Sequence, residues 1–348
     1  QRRVHGKVVI NPLAMSLIAG SYEKFIWGFK LKPEAANETL TLSQLFSYPS
    51  HLAPITTAAA SGPIAASGSS DDTIHLYDLA SASSLGSLSN HHTASITALN
   101  FFTPASLSFP RNLISADASG SVCIFDSDPF VHLKTIKANK KSVNDLSLHP
   151  SGRLALSVGK DECLSMLNLV RGRRSFCCRL EKEASLVRFA LDGERFFLVS
   201  NEAVGVHQAE DAKLVNEFNC PKRVLTASPA ENGILFTGGE DKSVIAWDTK
   251  SGKIASKIED AHSSRVKGIV VLTRSNNGGD EYPFLLASAS SDGVIRVWDT
   301  RKGAASGKGI PLADVDTKSR ITCLAGSSLK TIDRERVKQT VNKQVEES

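Results

Sequence analysis

The sequence lacks the patterns that mark metal centres and disulfide-stabilised proteins. No C-x-x-C pair occurs, and no cysteine lies near histidines at zinc-site spacing; the six cysteines stand at positions 123, 163, 177, 178, 220 and 323. We therefore expect reduced thiols, no metal ligands and no cofactor. A Gly-x-Ser-x-Gly elbow, which would mark one class of hydrolases, is also missing.

Long apolar runs are absent as well. No stretch approaches the length of a bilayer-spanning helix, so we expect no membrane partner. Residues 1–14 are basic, but Pro12 interrupts them and no signal-peptide core follows, which predicts an N-terminal extension outside the folded domain. The net charge of +5 permits contact with RNA or an acidic protein without indicating either.

What the sequence does contain is a repeated strand. Four strings alternate apolar and polar residues and end on an aromatic residue plus an aspartate: IHLYD (74–78), VCIFD (122–126), VIAWD (244–248) and IRVWD (295–299). Three weaker copies, KFIWGF (24–29), CLSMLN (163–168) and AVGVHQ (203–208), complete a period of roughly 40–50 residues. A strand unit of this length cannot bury its own apolar face, so the copies must stack on one another.

Counting the strands around each copy predicts how the array closes. Seven third strands are each preceded by a second strand, but only six first strands precede those; the seventh, ITCLAG (321–326), lies near the end of the chain. We therefore predict an all-β, seven-bladed propeller over residues 15–326, closed by pairing of N- and C-terminal strands in one blade. Residues 327–348 are predicted to be a charged tail, with a thin valine stripe that fits a helix.

Polar residues recur at fixed places in the units. An acid lies seven residues before the strand end in several copies, as Asp71, Asp161, Asp241 and Asp292. In the last full unit His262, Ser288 or Ser290, Asp292 and Trp298 complete a set, and Trp247 holds the aromatic place in the unit before. A serine, a histidine and an aspartate also compose a hydrolase triad. Because the set repeats around the ring, we interpret it as a structural hydrogen-bond network.

These endings and polar residues resemble the WD40 repeat family over residues 17–326. Departures are visible: Ser119 and Asn201 replace the turn acid, and Leu167 and His207 replace the aromatic residue. A narrower resemblance, to the PAK-interacting-protein family, rests on LIAGSYEKFIWGF (17–29), SSDDTIHLYDL (69–79), LHPSGRLALSVGKDECLSMLNLVRGR (148–173), SASSDGVIRVW (288–298) and RITCLAG (320–326).

That narrower resemblance implies a non-catalytic scaffold of the nucleus and nucleolus. It implies assembly of the large (60S) ribosomal subunit and pre-rRNA processing, with pre-60S assembly proteins and pre-rRNA as partners. The alternative that it also implies is a signalling scaffold that binds and negatively regulates a p21-activated protein kinase. No small-molecule substrate is expected under either.

A partner-binding face can be approximated from the residues that flank each first strand and each turn acid. These positions hold a basic set: Lys140, Lys141, Lys160, Arg188, Arg223, Arg265, Lys267 and Arg320. The set fits a docking surface for a polyanion, and it also fits an ordinary solvated rim. Because the starts of the first strands are apolar and Asp145 is the one acid nearby, we expect no catalytic residues.

Overall fold

The computed structural model describes residues 15–33, 40–272, 285–300 and 309–328. The predicted extension (1–14) and residues 329–348 of the predicted tail lie outside the described residues.

The strands form four-stranded blades. Blade 1 consists of β28 (Ile321–Ser328), β1 (Met15–Ser21), β2 (Phe25–Pro33) and β3 (Leu40–Pro49), and blade 2 of β4 (Ile55–Ser61), β5 (Ile64–Ser69), β6 (Ile74–Asp78) and β7 (Ser83–Leu88). Blade 3 consists of β8 (Ile96–Phe102), β9 (Asn112–Asp117), β10 (Ser121–Ser127) and β11 (Phe130–Lys137).

Blades 4 to 7 follow the same plan. They consist of β12 (Val143–Leu148), β13 (Leu154–Gly159), β14 (Cys163–Asn168) and β15 (Arg173–Arg179); β16 (Leu186–Phe189), β17 (Arg195–Ser200), β18 (Ala203–Gln208) and β19 (Leu214–Asn219); β20 (Val224–Pro229), β21 (Ile234–Gly239), β22 (Val244–Asp248) and β23 (Lys253–Ile258); and β24 (Val266–Leu272), β25 (Leu285–Ser290), β26 (Val294–Asp299) and β27 (Ala313–Asp316). In the described part of the chain, no helix has the length and apolarity needed to cross a membrane.

The seven-bladed propeller and its closure are confirmed. β28 pairs antiparallel with β1, from Met15 opposite Ser328 to Ser21 opposite Ile321, so the C-terminal strand is the innermost strand of the first blade. The innermost strands contact one another in the cyclic order β28, β4, β8, β12, β16, β20 and β24, and β24 contacts β28 again. The ring is therefore complete, and its seam is a pairing between strands at opposite ends of the sequence.

Side-chain hydrogen bonds tie neighbouring innermost strands together. Thr322 Oγ1 donates to the Ile55 carbonyl at 2.6 Å, which joins β28 of blade 1 to β4 of blade 2. Asn144 Nδ2 donates to the Ala184 carbonyl at 2.9 Å, joining blade 4 to blade 5. Each of these bonds links the innermost strand of one blade to the backbone of the next blade.

The turn between the second and third strands has one conformation in six blades. A residue with positive φ occupies the same turn position in each: Lys24, Asp72, Gly120, Glu162, Lys242 and Gly293. At Gly120, a Cβ would lie 2.3 Å from the Asn139 carbonyl oxygen, so only glycine fits there. Blade 5 is the exception, because its positive φ falls one place earlier in the turn, at Asn201.

The hydrophobic core lies between blades rather than within them. Where a third strand ends on a phenylalanine, tyrosine or tryptophan, that ring packs on the preceding blade, as Trp298 does on Phe236 and Trp247 on Phe218, whose ring centroid is 4.6 Å away. Blade 1 has Phe29 at this place, because Phe29 pairs with Leu17 as Trp298 pairs with Leu286. Its buried ring lies in one core cluster with Ala287 and Val297 of blade 7.

Candidate functional site

The polar set of blade 7 forms a buried chain of hydrogen bonds. Trp298 Nε1 donates to Ser288 Oγ at 2.8 Å, and Ser288 Oγ lies 2.8 Å from His262 Nε2. Asp292 lies beyond hydrogen-bond distance, 3.7 Å from His262 Nδ1, and it accepts the Ser263 and Val294 backbone N–H groups. The indole, hydroxyl and imidazole are all buried, so the arrangement holds the blade together and leaves a substrate no access.

Blade 2 carries the fullest version of the chain, and sequence reasoning found only its acid. Asp71 Oδ2 lies 3.2 Å from His51 Nδ1, His51 Nε2 lies 2.8 Å from Ser67 Oγ, and Ser67 Oγ lies 2.8 Å from the Tyr77 hydroxyl. The missed histidine had a signal in the sequence. His51 precedes Ile55 by four residues, as His262 precedes Val266.

Blades 3 and 4 build the chain with substitutions. In blade 3, where Ser119 holds the turn-acid position, Asp117 stands two residues earlier and bonds His92 Nδ1 at 2.8 Å. In blade 4, Asn139 replaces the histidine and donates from Nδ2 to Asp161 Oδ1 at 2.9 Å. Both blades therefore keep the bond between the ring or amide nitrogen and the acid. Blade 3 moves the acid to another position, and blade 4 uses an amide in place of the imidazole.

The chain is interrupted in blade 6. Trp247 Nε1 donates to Thr237 Oγ1 at 2.9 Å, but Cys220 stands at the histidine place and its Sγ lies 4.0 Å from that hydroxyl. Asp241 Oδ2 is buried and has no hydrogen-bond partner among the described residues. Burial raises the pKa of Asp241 above its usual range, although the Ser243 N–H and the nearby charges of Lys257 and Lys222 work against this.

Two histidines at the same place in neighbouring blades titrate in opposite directions. Burial and the nearby His75 lower the pKa of His51 to about 4, although Asp71 works against this. Burial also disfavours charged His92, but its hydrogen bonds to Asp117 and Cys123 outweigh burial and raise its pKa to about 9. His92 therefore carries a proton that His51 lacks at neutral pH.

The predicted basic face divides into three parts. Arg223, Arg265 and Arg320 occupy one position in blades 6, 7 and 1. Their carbonyls accept the backbone N–H groups of Glu240, Ser291 and Tyr22 at 2.9–3.1 Å. This equivalence places three arginines in a row around one side of the ring, at the end of the blades that bears the turns between second and third strands.

Lys267 joins these three arginines. It is half-buried on β24, and burial together with the nearby charges of Arg265, Arg320 and Arg223 lowers its pKa. Glu240 is the opposing charge in this group. Arg223, Arg265, Lys267 and Arg320 thus form a cluster of mutually repelling cations, called here the four-cation arc.

The remaining predicted residues lie elsewhere on the ring. Lys140, Lys141 and Lys160 are exposed and belong to blade 4. Arg188 is not free for a partner, because its guanidinium donates to the buried carboxylate of Asp145 and to the Val187 carbonyl. Sequence reasoning could not foresee this ion pair, since it joins strands of two blades.

In the described part of the chain, no group of three or more His, Cys, Asp or Glu side chains is placed to hold a metal ion. All six cysteines lie among these residues as free thiols.

Comparisons with known proteins agree with this architecture. The family model described as "WD domain, G-beta repeat" matches residues 42–78, 130–166 and 256–299. The chain is 32% identical over 310 residues to the Danio rerio protein "p21-activated protein kinase-interacting protein 1-like", covering 89% of this chain and 80% of that one. It is 32% identical over 319 residues to the Homo sapiens "p21-activated protein kinase-interacting protein 1", covering 89% and 76%. Over 328 residues it is 26% identical to Saccharomyces cerevisiae "Protein MAK11", covering 81% and 77%.

Proposed function

The chain belongs to the p21-activated kinase-interacting protein family of WD40 scaffolds, and we propose that it acts in nucleolar assembly of the large ribosomal subunit. In this proposal the propeller is a non-catalytic platform that contacts pre-60S assembly proteins and pre-rRNA. The family resemblance supports the ribosomal role, and the four-cation arc supports a polyanionic partner.

The four-cation arc carries the proposal. Within the described residues, none of its side chains has a carboxylate within 4 Å, so all four cations remain available to a ligand. Like charges held together in one cluster raise the free energy of the unbound protein. A polyanion that contacts the cluster removes this repulsion and releases condensed counterions, which makes its binding strong at low salt.

The test is the salt dependence of association with pre-60S particles. Arg223→Glu, Arg265→Glu and Arg320→Glu are introduced together, and the fraction of protein that co-sediments with pre-60S particles is measured across salt concentrations. We expect weaker association and a shallower salt slope, because about three phosphate contacts are lost. Association unchanged in both respects would contradict the proposal.

The matched control reverses three charges at the opposite ends of the blades. Arg171 and Lys250 are exposed in turns between third and outer strands, and Lys253 is the exposed first residue of β23, directly after such a turn. Because the strands are antiparallel, these turns lie at the end remote from the four-cation arc. Glutamate at all three positions changes the net charge equally and is expected to leave association intact.

A kinase-binding scaffold is the second candidate, supported by the printed names of the relatives from Danio rerio and Homo sapiens. Affinity purification separates the two functions. Recovery of large-subunit ribosomal proteins and precursor rRNA supports the first. A p21-activated kinase recovered without ribosomal factors supports the second and rejects the first.

A further inference from the structure

A groove of about 720 Å³ lies between blades 4 and 5. Its walls are apolar: Leu156, Leu164, Met166 and Phe176 come from blade 4, and Phe189 and Phe196 from blade 5. This volume falls within the range of about 300–1000 Å³ that is typical of ligand pockets. We call it the 4/5 groove.

Comparison with blades 6 and 7 explains why the groove is open. There, Trp298 of blade 7 packs on Phe236, Val244 and Ala246 of blade 6. The strand registers place Leu156, Leu164 and Met166 at the same positions in blade 4. His207 takes the place of the tryptophan in blade 5, because it pairs with Phe196 as Trp298 pairs with Leu286.

His207 does not cover this wall. Its Nδ1 lies 2.9 Å from the Ala212 carbonyl in its own turn, and its ring stacks on Phe196 with centroids 5.1 Å apart. An imidazole is smaller than an indole, and this one is held against its own blade. Phe176 on the opposite wall consequently remains 51% exposed, which is unusual for a phenylalanine.

The rim of the groove is acidic. Glu194, Glu210 and Asp211 line it from blade 5, and all three are exposed. No lysine or arginine among the described residues lies within 4 Å of any of these carboxylates. The groove therefore offers an apolar floor beside three uncompensated negative charges.

We propose that the 4/5 groove binds a peptide segment of a partner protein in which bulky apolar side chains are followed by lysine or arginine. The apolar side chains enter the space that the missing indole leaves, and the basic side chain meets the acidic rim. An acidic peptide is repelled by the same rim.

This proposal is independent of the ribosomal function. The groove is lined by Gly193 and by the turn 208–212, which lie at the end of the blades opposite the four-cation arc. One propeller can therefore hold a polyanion at one end and a basic peptide at the other.

The test selects random peptides of about a dozen residues, displayed on phage, against the immobilised full chain. Three proteins are compared: wild type, His207→Phe, and a rim variant with Glu194→Lys, Glu210→Lys and Asp211→Lys. Phenylalanine occupies the equivalent place in blade 3 as Phe125, so it suits the site and fills the groove. Glu202→Lys, an exposed change at the other end of blade 5, is the control.

We expect wild type and the Glu202→Lys control to enrich peptides that combine bulky apolar residues with lysine or arginine. Both groove variants should bind these peptides about tenfold more weakly or worse. The proposal is overturned if no peptide distinguishes wild type from His207→Phe, or if the enriched peptides are acidic. It is also overturned if sedimentation shows a wild-type dimer that His207→Phe converts to a monomer, since the occupant is then a second copy.

The rim variant keeps the proposal falsifiable if His207→Phe unfolds. Its three substitutions lie at exposed positions, and a thermal melt matching that of wild type confirms that it is folded. If the selected peptides bind the rim variant as tightly as they bind wild type, the acidic rim does not contribute to binding and the proposal is overturned.

Discussion

Blades 7 and 5 have the same four strands but are held in different ways. Blade 7 joins Trp298, Ser288 and His262 in a buried polar chain. Blade 5 has Leu198 at the serine position by strand register. The Leu180 N–H bonds the Glu162 carbonyl of the preceding blade, as the His262 N–H bonds the Lys242 carbonyl, so a second leucine takes the histidine place.

The difference teaches what the polar chain is for. Blade 5 forms without it, so the chain is not required to build a sheet. In blade 7 the aromatic end of the chain closes the interface with the preceding blade. In blade 5, which lacks both the chain and the aromatic residue, the interface opens into the 4/5 groove. The regular blades therefore stabilise the ring, and the irregular one offers a surface for binding.

The largest effect is expected from removing what both blades depend on, the closing strand. A chain that ends at residue 320 loses β28, which leaves one edge of β1 unpaired and removes the contacts that β28 makes with β4 and β24. We expect aggregation or loss of a cooperative melt. A chain that ends at Ser328 keeps the strand and serves as control. If the shorter chain melts like the control, closure does not stabilise the ring.

Truncating the aromatic position tests the comparison directly. Trp298→Ala leaves a cavity between blades 6 and 7 and should cost about 3–5 kcal/mol of unfolding free energy. His207→Ala removes a ring that does not fill its interface, and should cost about 1 kcal/mol. Denaturant unfolding measures both. Equal losses would mean that the interfaces are packed alike.

The turn acids provide a third test. Asp71 accepts the Leu52 N–H at 2.8 Å and the Thr73 hydroxyl at 2.6 Å, so Asp71→Asn should cost about 2–3 kcal/mol. Asp241 holds a buried oxygen without a partner, and Asp241→Asn should change stability by less than about 1 kcal/mol. A comparable loss from both would place a partner on Asp241.

The opposed histidines give a pH test. The pKa of His51 falls from 6.5 to about 4 on folding, so the folded state favours the neutral imidazole. The stability that neutral His51 contributes is complete above pH 6.5 and is lost as the pH falls towards 4. The pKa of His92 rises from 6.5 to about 9 on folding, so the folded state favours the protonated imidazole. The stability that protonated His92 contributes is complete below pH 6.5 and is lost as the pH rises through 9. Each should remove about 2 kcal/mol, between pH 7 and 5 for His51 and between pH 7 and 9 for His92.

Matched variants isolate each histidine. Asn139 occupies the histidine place in blade 4 and bonds both Asp161 and Ser157, so asparagine fits this position of the fold. His51→Asn should flatten the acid limb of the stability profile, and His92→Asn the alkaline limb. If the acid limb stays steep in His51→Asn, or the alkaline limb in His92→Asn, another group is responsible for that loss of stability.

The sequence predicted the strands because alternation and turn residues are local signals. It also predicted the seam, because a missing first strand can be counted. The network was predicted where the strand end is tryptophan, as at Trp298, and missed where tyrosine serves, as at Tyr77. The Arg188–Asp145 pair and the 4/5 groove depend on how two blades meet, and no local pattern carries that information.

Hydrogen–deuterium exchange tests most directly the claim that the joint between blades 4 and 5 is the open one. We expect faster exchange in β14, β15 and β18 than in the equivalent β22, β23 and β26, and slower exchange in β14, β15 and β18 after His207→Phe. Uniform protection around the ring, or exchange that His207→Phe leaves unchanged, would contradict it.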